Sequence, residues 1–217
     1  MSYHVIAIDG PAASGKSTVA KNLALRLGYG YVNSGAMYRA VTWQVLSVGI
    51  SSDDTVGVID LLERSNIEIG LQNGVSVINI NGVDPEPHLR DTSINQHVSP
   101  VSSIAGVRDF LLSYQRQFAE ESDIVMEGRD IGSTVFPDTP YKFYIDASPE
   151  VRRQRRLVQG HTDEIAARDK VDSSRRASPL VIAEDAHVID SSHLTIDGVV
   201  GEIIGRLKLQ GLENSRF

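Results

Sequence analysis

Near the amino end, the run DGPAASGKST (residues 9–18) has the residue types and spacing to hold a phosphate: Gly10, four residues, then Gly15-Lys16-Ser17. This is the P-loop pattern, in which backbone N–H groups and the start of a following helix wrap a di- or triphosphate. Side chains at 10 and 15 would obstruct the cradle. Lys16 reaches the β and γ phosphates, and the Ser17 hydroxyl can join the shell of a Mg²⁺ ion. The candidate donor-binding residues are therefore Gly10, Pro11, Ala12, Ala13, Ser14, Gly15, Lys16, Ser17 and Thr18, with Ser17 as the metal ligand. Such a loop reads phosphates and not the base.

Switch GTPases share the loop, but the chain has no Asp-x-x-Gly after a strand to sense a γ-phosphate and no Asn-Lys-x-Asp to read guanine. A kinase, another ATPase or a nucleotide-binding regulator remain. Transfer between two phosphorylated molecules brings two anions together and needs cations beyond one lysine. Eight of the 21 Lys and Arg residues lie between Arg152 and Arg176, either as a focused site or as a solvated helix face. Arg168, Asp172 and Arg175 stand at i, i+4 and i+7, on one face of a helix if one forms there. Arg39 follows Ser34-Gly35, and Arg129-Asp130 follow an apolar run, where an open α/β sheet places ligands. Arg108 interrupts the apolar face of a helical stretch and is either a site residue or a rim residue.

Alternating strand and helix patterns must position these groups, which is the signature of a layered α/β fold. Tyr3 to Asp9 reads as a buried strand ending at Gly10, and Ser17 to Leu27 as a helix stopped by Gly28. A strand near Tyr31-Val32, a helix through Leu46 and another over Thr55 to Arg64 follow. In IEIGLQNGVSVININGVDP alternating apolar residues and two Asn-Gly pairs predict an antiparallel hairpin, part of an insert over about 63–100. Ile104, Val107, Leu111, Leu112, Gln115 and Phe118 share a helical face, with strands after them at Asp123 to Met126, Lys142 to Ile145 and His187 to Ile189. Ser148-Pro149-Glu150 has the residues of a helix start, and a final helix is expected over about Ile196 to Leu209.

With 217 residues the chain has room for one large domain, and its net charge of −7 does not favour a non-specific nucleic-acid binder. No cysteine occurs, which excludes disulfides and thiolate metal sites. No window approaches ~18 consecutive apolar residues, and the amino end lacks a basic segment followed by an apolar one. A cytoplasmic protein without a membrane anchor is expected.

Beyond GPAASGKST, the chain contains NSGAMYR (33–39), VRDFLLSYQRQF (107–118), EGRDIGSTVFPD (127–138), the stretch from Tyr144 to Arg156 and RDKVDSSRRASPL (168–180). In these segments, and in their order, it resembles the bacterial cytidylate kinases, a family of P-loop nucleoside monophosphate kinases. The resemblance implies a single domain over 1–217: a three-layer α/β sandwich with a central parallel sheet, an inserted antiparallel subdomain at about 63–100 that enlarges the nucleoside-monophosphate side, and a short lid at about 155–166. It further implies transfer of the γ-phosphate of ATP to CMP or dCMP with Mg²⁺, by a monomer that binds neither nucleic acid nor membrane. On the same ground Ser34, Arg108 and Asp130 are expected to read cytosine, with Arg175 near the base. Arg39 and Arg129 are expected to clamp the acceptor phosphate; Arg168, Asp172 and Ser99 to face the ribose; and Arg155 and Arg156 to approach the transferring group from the lid. The chain departs from the family pattern at Asn33 and Glu127, where the family often has Asp.

Overall fold

The computed structural model describes residues 3–158, 165–175 and 178–212, the side chains of 165–168 and 170 excepted. In chain order the strands are β1 (Val5–Asp9), β2 (Gly30–Asn33), β3 (Ile67–Gln72), β4 (Val75–Ile80), β5 (Ile124–Gly128), β6 (Tyr141–Asp146) and β7 (His187–Asp190). The helices are α1 (Lys16–Leu27), α2 (Ser34–Ser47), α3 (Thr55–Arg64), α4 (Thr92–Ser103), α5 (Ala105–Glu121), α6 (Pro149–Val158), α7 (Ile165–Ser174) and α8 (Ile196–Leu209).

All seven strands form one sheet, in the order β3-β4-β2-β5-β1-β6-β7. Every pairing is parallel except β3 with β4. Side chains alternate between the two faces as the two-residue strand period requires. Val5 and Ala7 of β1, with Ile124 and Met126 of β5, meet α2, α3, α4 and α5. Ile6 and Ile8, with Val125, meet Val19, Leu23 and Leu27 of α1 and Val200, Ile203 and Leu207 of α8. A sheet buried on both faces explains the continuous apolar runs at the start of β1 and of β5.

Local chemistry sets most boundaries. Gly28 ends α1 in a left-handed conformation at φ 71°, donating to the carbonyl of Ala24. Asn33, Asp54 and Thr195 cap α2, α3 and α8 by accepting from the N–H groups of Ala36, Gly57 and Gly198. At the start of α6, Ser148 Oγ accepts from Val151 N. The β3–β4 hairpin turns on Asn73-Gly74, both at positive φ as a two-residue turn demands. It does not stand apart from the sheet: Val75 pairs with Tyr31, and a side chain at Gly30 would collide with Leu71. Two elements fall outside the sequence-based reading. Helix α4 forms through a run containing Pro100, with Ile94, Val98 and Val101 buried, and residues Ile131–Val135 make a π-helical turn after β5. The expected lid covers residues 159–164, which lie outside the described residues.

Candidate active site

The P-loop joins β1 to α1 beside the carboxyl end of β5, so the segment carrying Glu127, Arg129 and Asp130 faces it across the top of the sheet. Gly10, at φ 153°, lies so close to β6 that an added Cβ would fall 2.1 Å from the carbonyl oxygen of Ile145. Its glycine is therefore required by strand packing as well as by the phosphate cradle. Lys16 is buried, donates from Nζ to the Pro11 carbonyl at 3.1 Å and stands 4.0 Å from Glu127 Oε2. Ser17 and Thr18 are exposed on the same cleft.

That cleft, of ≈ 220 Å³, brings together the loop residues Ala12, Ala13 and Gly15 to Thr18 with Asn33, Arg39, Glu127, Arg129 and Arg156. A second, narrower cavity of ≈ 60 Å³ adjoins it and contains Ser34, Tyr38, Ser99, Ser102, Arg108, Asp130, Asp172 and Arg175. The two share Gly35, Arg39, Glu127 and Arg129. Arg39 and Arg129 therefore stand where the contents of one cavity meet those of the other.

The narrower cavity is built from buried charge. Arg108 of α5 is ion-paired with Asp130, donates to the Ser102 carbonyl at 3.2 Å and lies 5.2 Å from the Tyr38 ring centroid. Burial works against its charge, but Asp130 and then Tyr38 outweigh it and raise its pKa. Asp172 accepts from Arg129 Nε at 2.9 Å on one oxygen and from Arg175 on the other. For Arg175 burial prevails over that partner and lowers the pKa. Arg108 Nε and Arg175 Nε are buried without a hydrogen-bond partner among the described residues, two donors left for a ligand. Ser34 Oγ donates to the Glu127 carbonyl at 2.8 Å, so only its lone pairs remain to be used.

Of the residues expected from sequence, most gather around these two cavities. Gly10, Pro11 and Ser14 shape the loop without lining the cleft. The side chain of Arg168 lies outside the described residues. Arg155 is not brought to either of these cavities: its guanidinium donates to the carbonyls of Ala13, Ser14 and Ser191 and to Ser191 Oγ. Arg156, one residue on, takes the cleft.

Sequence reasoning passed over Asp9, whose two carboxylate oxygens accept from the N–H groups of Ile131 and Gly132 at 2.8 Å each. These bonds tie the loop carrying Arg129 and Asp130 to the strand carrying the P-loop. Burial pushes the Asp9 carboxyl up to about 7, with Asp130 adding to the shift and the two backbone bonds and Lys16 opposing it. A lone acid inside an otherwise apolar strand was the available signal.

For a divalent cation, the cleft offers the Ser17 hydroxyl and the Glu127 carboxylate. No cluster of three or more His, Cys, Asp or Glu capable of holding a metal exists among the described residues. That sparse oxygen set suits Mg²⁺, which keeps several waters and binds through one or two protein oxygens plus phosphates.

A mostly parallel sheet with a P-loop at its first strand, facing a second polar cavity across shared arginines, is the architecture of a P-loop kinase. The cytidylate kinase family model matches residues 6–209. A cytidylate kinase of Desulforamulus reducens is 45% identical over 213 residues, covering 93% of this chain and 96% of that protein. One from Limosilactobacillus fermentum is 44% identical, covering 94% and 95%. The chain belongs to the cytidylate kinase family and is a nucleotide kinase. A gluconokinase structure from Sinorhizobium meliloti, 13% identical, aligns with a TM-score of 0.50 over 96% of this chain and 93% of its own, a likeness of fold alone. No helix among the described residues is long and apolar enough to cross a membrane.

Proposed function

We propose that the enzyme transfers the γ-phosphate of ATP to CMP or dCMP, giving ADP and CDP or dCDP, with Mg²⁺ held by Ser17 and, through water, by Glu127. Mg²⁺ supplies neutralisation of phosphate charge. One observation carries the reading: the two cavities meet at Arg39 and Arg129, so an acceptor phosphate clamped there faces the γ-phosphate over Lys16. Lys16 and Arg156 meet charge on the transferring group. A phosphate oxygen is already anionic near neutral pH, so positioning and charge neutralisation suffice and no strong general base is needed.

Cytosine selection follows from the polarity of the inner cavity. Asp130 and Ser34 Oγ, its proton committed to Glu127, present acceptors that suit the 4-amino group and oppose the carbonyl of uracil. Arg108 and Arg175 supply donors for N3 and O2. Asp172, Arg168 and Ser99 face the ribose. The segment at about 155–166 closes as a lid and excludes water, with Arg156 at its base, and the insert at about 63–100 enlarges the acceptor side.

The test is a panel of CMP, dCMP, UMP, AMP and GMP with ATP and Mg²⁺, read as nucleoside diphosphate formed. Turnover of CMP and dCMP at least tenfold above the others is expected. Preference for another acceptor, or none, overturns the assignment.

A further inference from the structure

Helix α6 grips the P-loop from behind. Arg152 Nη1 donates to the Ala12 carbonyl at 3.3 Å, and Arg155 Nη1 donates to those of Ala13 and Ser14 at 3.4 and 3.2 Å. Ser191, just after β7, donates its hydroxyl to the same Ser14 carbonyl at 2.8 Å, while Arg155 reaches Ser191 O at 2.8 Å and Oγ at 3.1 Å. Three successive loop carbonyls are thus held by side chains that do not line the cleft.

A planar trans peptide points its C=O and N–H in opposite directions. Fixing the carbonyls of Ala12, Ala13 and Ser14 toward α6 therefore fixes the N–H groups of Ala13, Ser14 and Gly15 away from it. Those are amides of the cradle. Ala13 is held at φ 61°, a left-handed conformation unfavourable for a residue with a Cβ, so the loop needs outside restraint to keep its shape. The two arginines differ in their partners. Arg152 is paired with Asp169 of α7, whereas Arg155 makes all its hydrogen bonds among the described residues to neutral oxygens, with only the more distant Asp190 carboxylate interacting with its charge.

We infer that Arg155, braced by Ser191, is a positioning residue for donor phosphate: it orients the cradle amides and adds positive potential behind them, without touching the transferring group. The inference rests on the P-loop being the donor site, as in the proposed function, but not on the identity of the acceptor.

The experiment is calorimetric titration of a non-hydrolysable ATP analogue and, separately, of CMP into the parent, Arg155→Ala, Arg155→Lys and Ser191→Ala, alongside steady-state kinetics. For Arg155→Ala the analogue Kd is expected to rise at least tenfold and the CMP Kd to change less than twofold, with loss of kcat/KM for ATP appearing in KM. Arg155→Lys keeps the charge but not the two-armed reach and should lose less, and Ser191→Ala should weaken the analogue about threefold. An analogue Kd within twofold of the parent, with kcat reduced at saturating ATP, would overturn the inference in favour of contact with the transferring group. Equal weakening of both ligands would overturn it in favour of general destabilisation. Should Arg155→Ala not fold, Arg155→Lys and Ser191→Ala decide by the same criteria. A parent that fails to phosphorylate CMP would sink the proposed function, yet the analogue titration would still decide this point.

Discussion

Arg108 and Asp130 come from different elements, α5 and the loop after β5, and form a buried ion pair in the inner cavity with the guanidinium lying by the Tyr38 ring. Neither partner can be removed without leaving the other charge buried. Arg108→Ala is therefore expected to cost about 3–5 kcal/mol of stability, measured by denaturant unfolding.

Asp130→Asn keeps the shape but offers an amide that can donate to uracil O4 as well as a carbonyl that can accept from cytosine. The ratio of kcat/KM for CMP over UMP should fall at least about tenfold, since one mismatched polar contact is worth roughly 1–3 kcal/mol. Arg39 donates to the Leu89 carbonyl and to Asn95 Oδ1 and lines both cavities, away from that selection. Arg39→Ala should weaken CMP and UMP alike. An unchanged ratio in Asp130→Asn, or an equal fall in Arg39→Ala, would contradict the assignment of base readers.

Lys16→Ala removes the buried cation nearest Glu127 and the group placed to meet charge on the transferring phosphoryl. A fall in kcat of about 10²-fold or more is expected, with CMP binding changed little, because the lost interaction strengthens in the transition state. Steady-state rates and CMP titration check both halves, and a kcat within threefold of the parent would sink the role.

Arg156→Ala should separate from Arg155→Ala. Arg156 lines the cleft, so its loss is expected to appear in kcat, by about 10²-fold, with an unfolding free energy within about 1 kcal/mol of the parent. Similar profiles for the two variants would remove the distinction between cleft and cradle arginines.

Asp9 makes the stability of the fold pH-dependent. Its carboxyl titrates at about 7 in the folded protein against 3.8 for an ordinary aspartate, chiefly through burial. The folded protein holds that proton where the unfolded chain has released it, so stability falls as pH rises from about 4 to about 7 and this contribution then levels off. At ~1.4 kcal/mol per unit the effect is on the order of 4 kcal/mol across the window. Asp9→Asn should flatten the difference, though it leaves one of the Ile131 and Gly132 N–H groups short of an acceptor and lowers the overall level. Unfolding midpoints of parent and variant at pH 4.5, 6 and 8 measure it; parallel profiles would refute the role.

The sequence made legible what short-range chemistry decides. The bounds of α3 and α8 follow from Asp54, Thr195 and apolar periodicity, and the P-loop from glycine spacing. Helix α4 was hidden because Ser, Asn, His and Pro100 are weak helix formers; Ile94, Val98 and Val101, packing against their neighbours, override that preference. The π-helical turn at Ile131–Val135 was hidden because Asp9, 122 residues earlier, holds its first N–H. Motif order pointed to Arg129, Asp130 and Asp172, but the pairing of Arg108 with Asp130 depends on where α5 crosses β5. The divergent fates of Arg155 and Arg156 depend on the 100° between adjacent helix positions, which no run of arginines announces.

The central position of β1 has a consequence for synthesis. Its two neighbours in the sheet, β5 and β6, begin at Ile124 and Tyr141, so a strand translated before the other six has no partner until at least 115 further residues have been added. At ~5–20 residues per second the phosphate loop waits on the order of ten seconds on the ribosome with its apolar strand unpaired. Such long-range pairing slows folding and prolongs exposure. β2 gains its hairpin neighbour earlier, through Val75, but its other edge also waits for β5. The donor site is thus encoded first and assembled late, and a chain interrupted before Ile124 carries the nucleotide-binding motif without the sheet that shapes it.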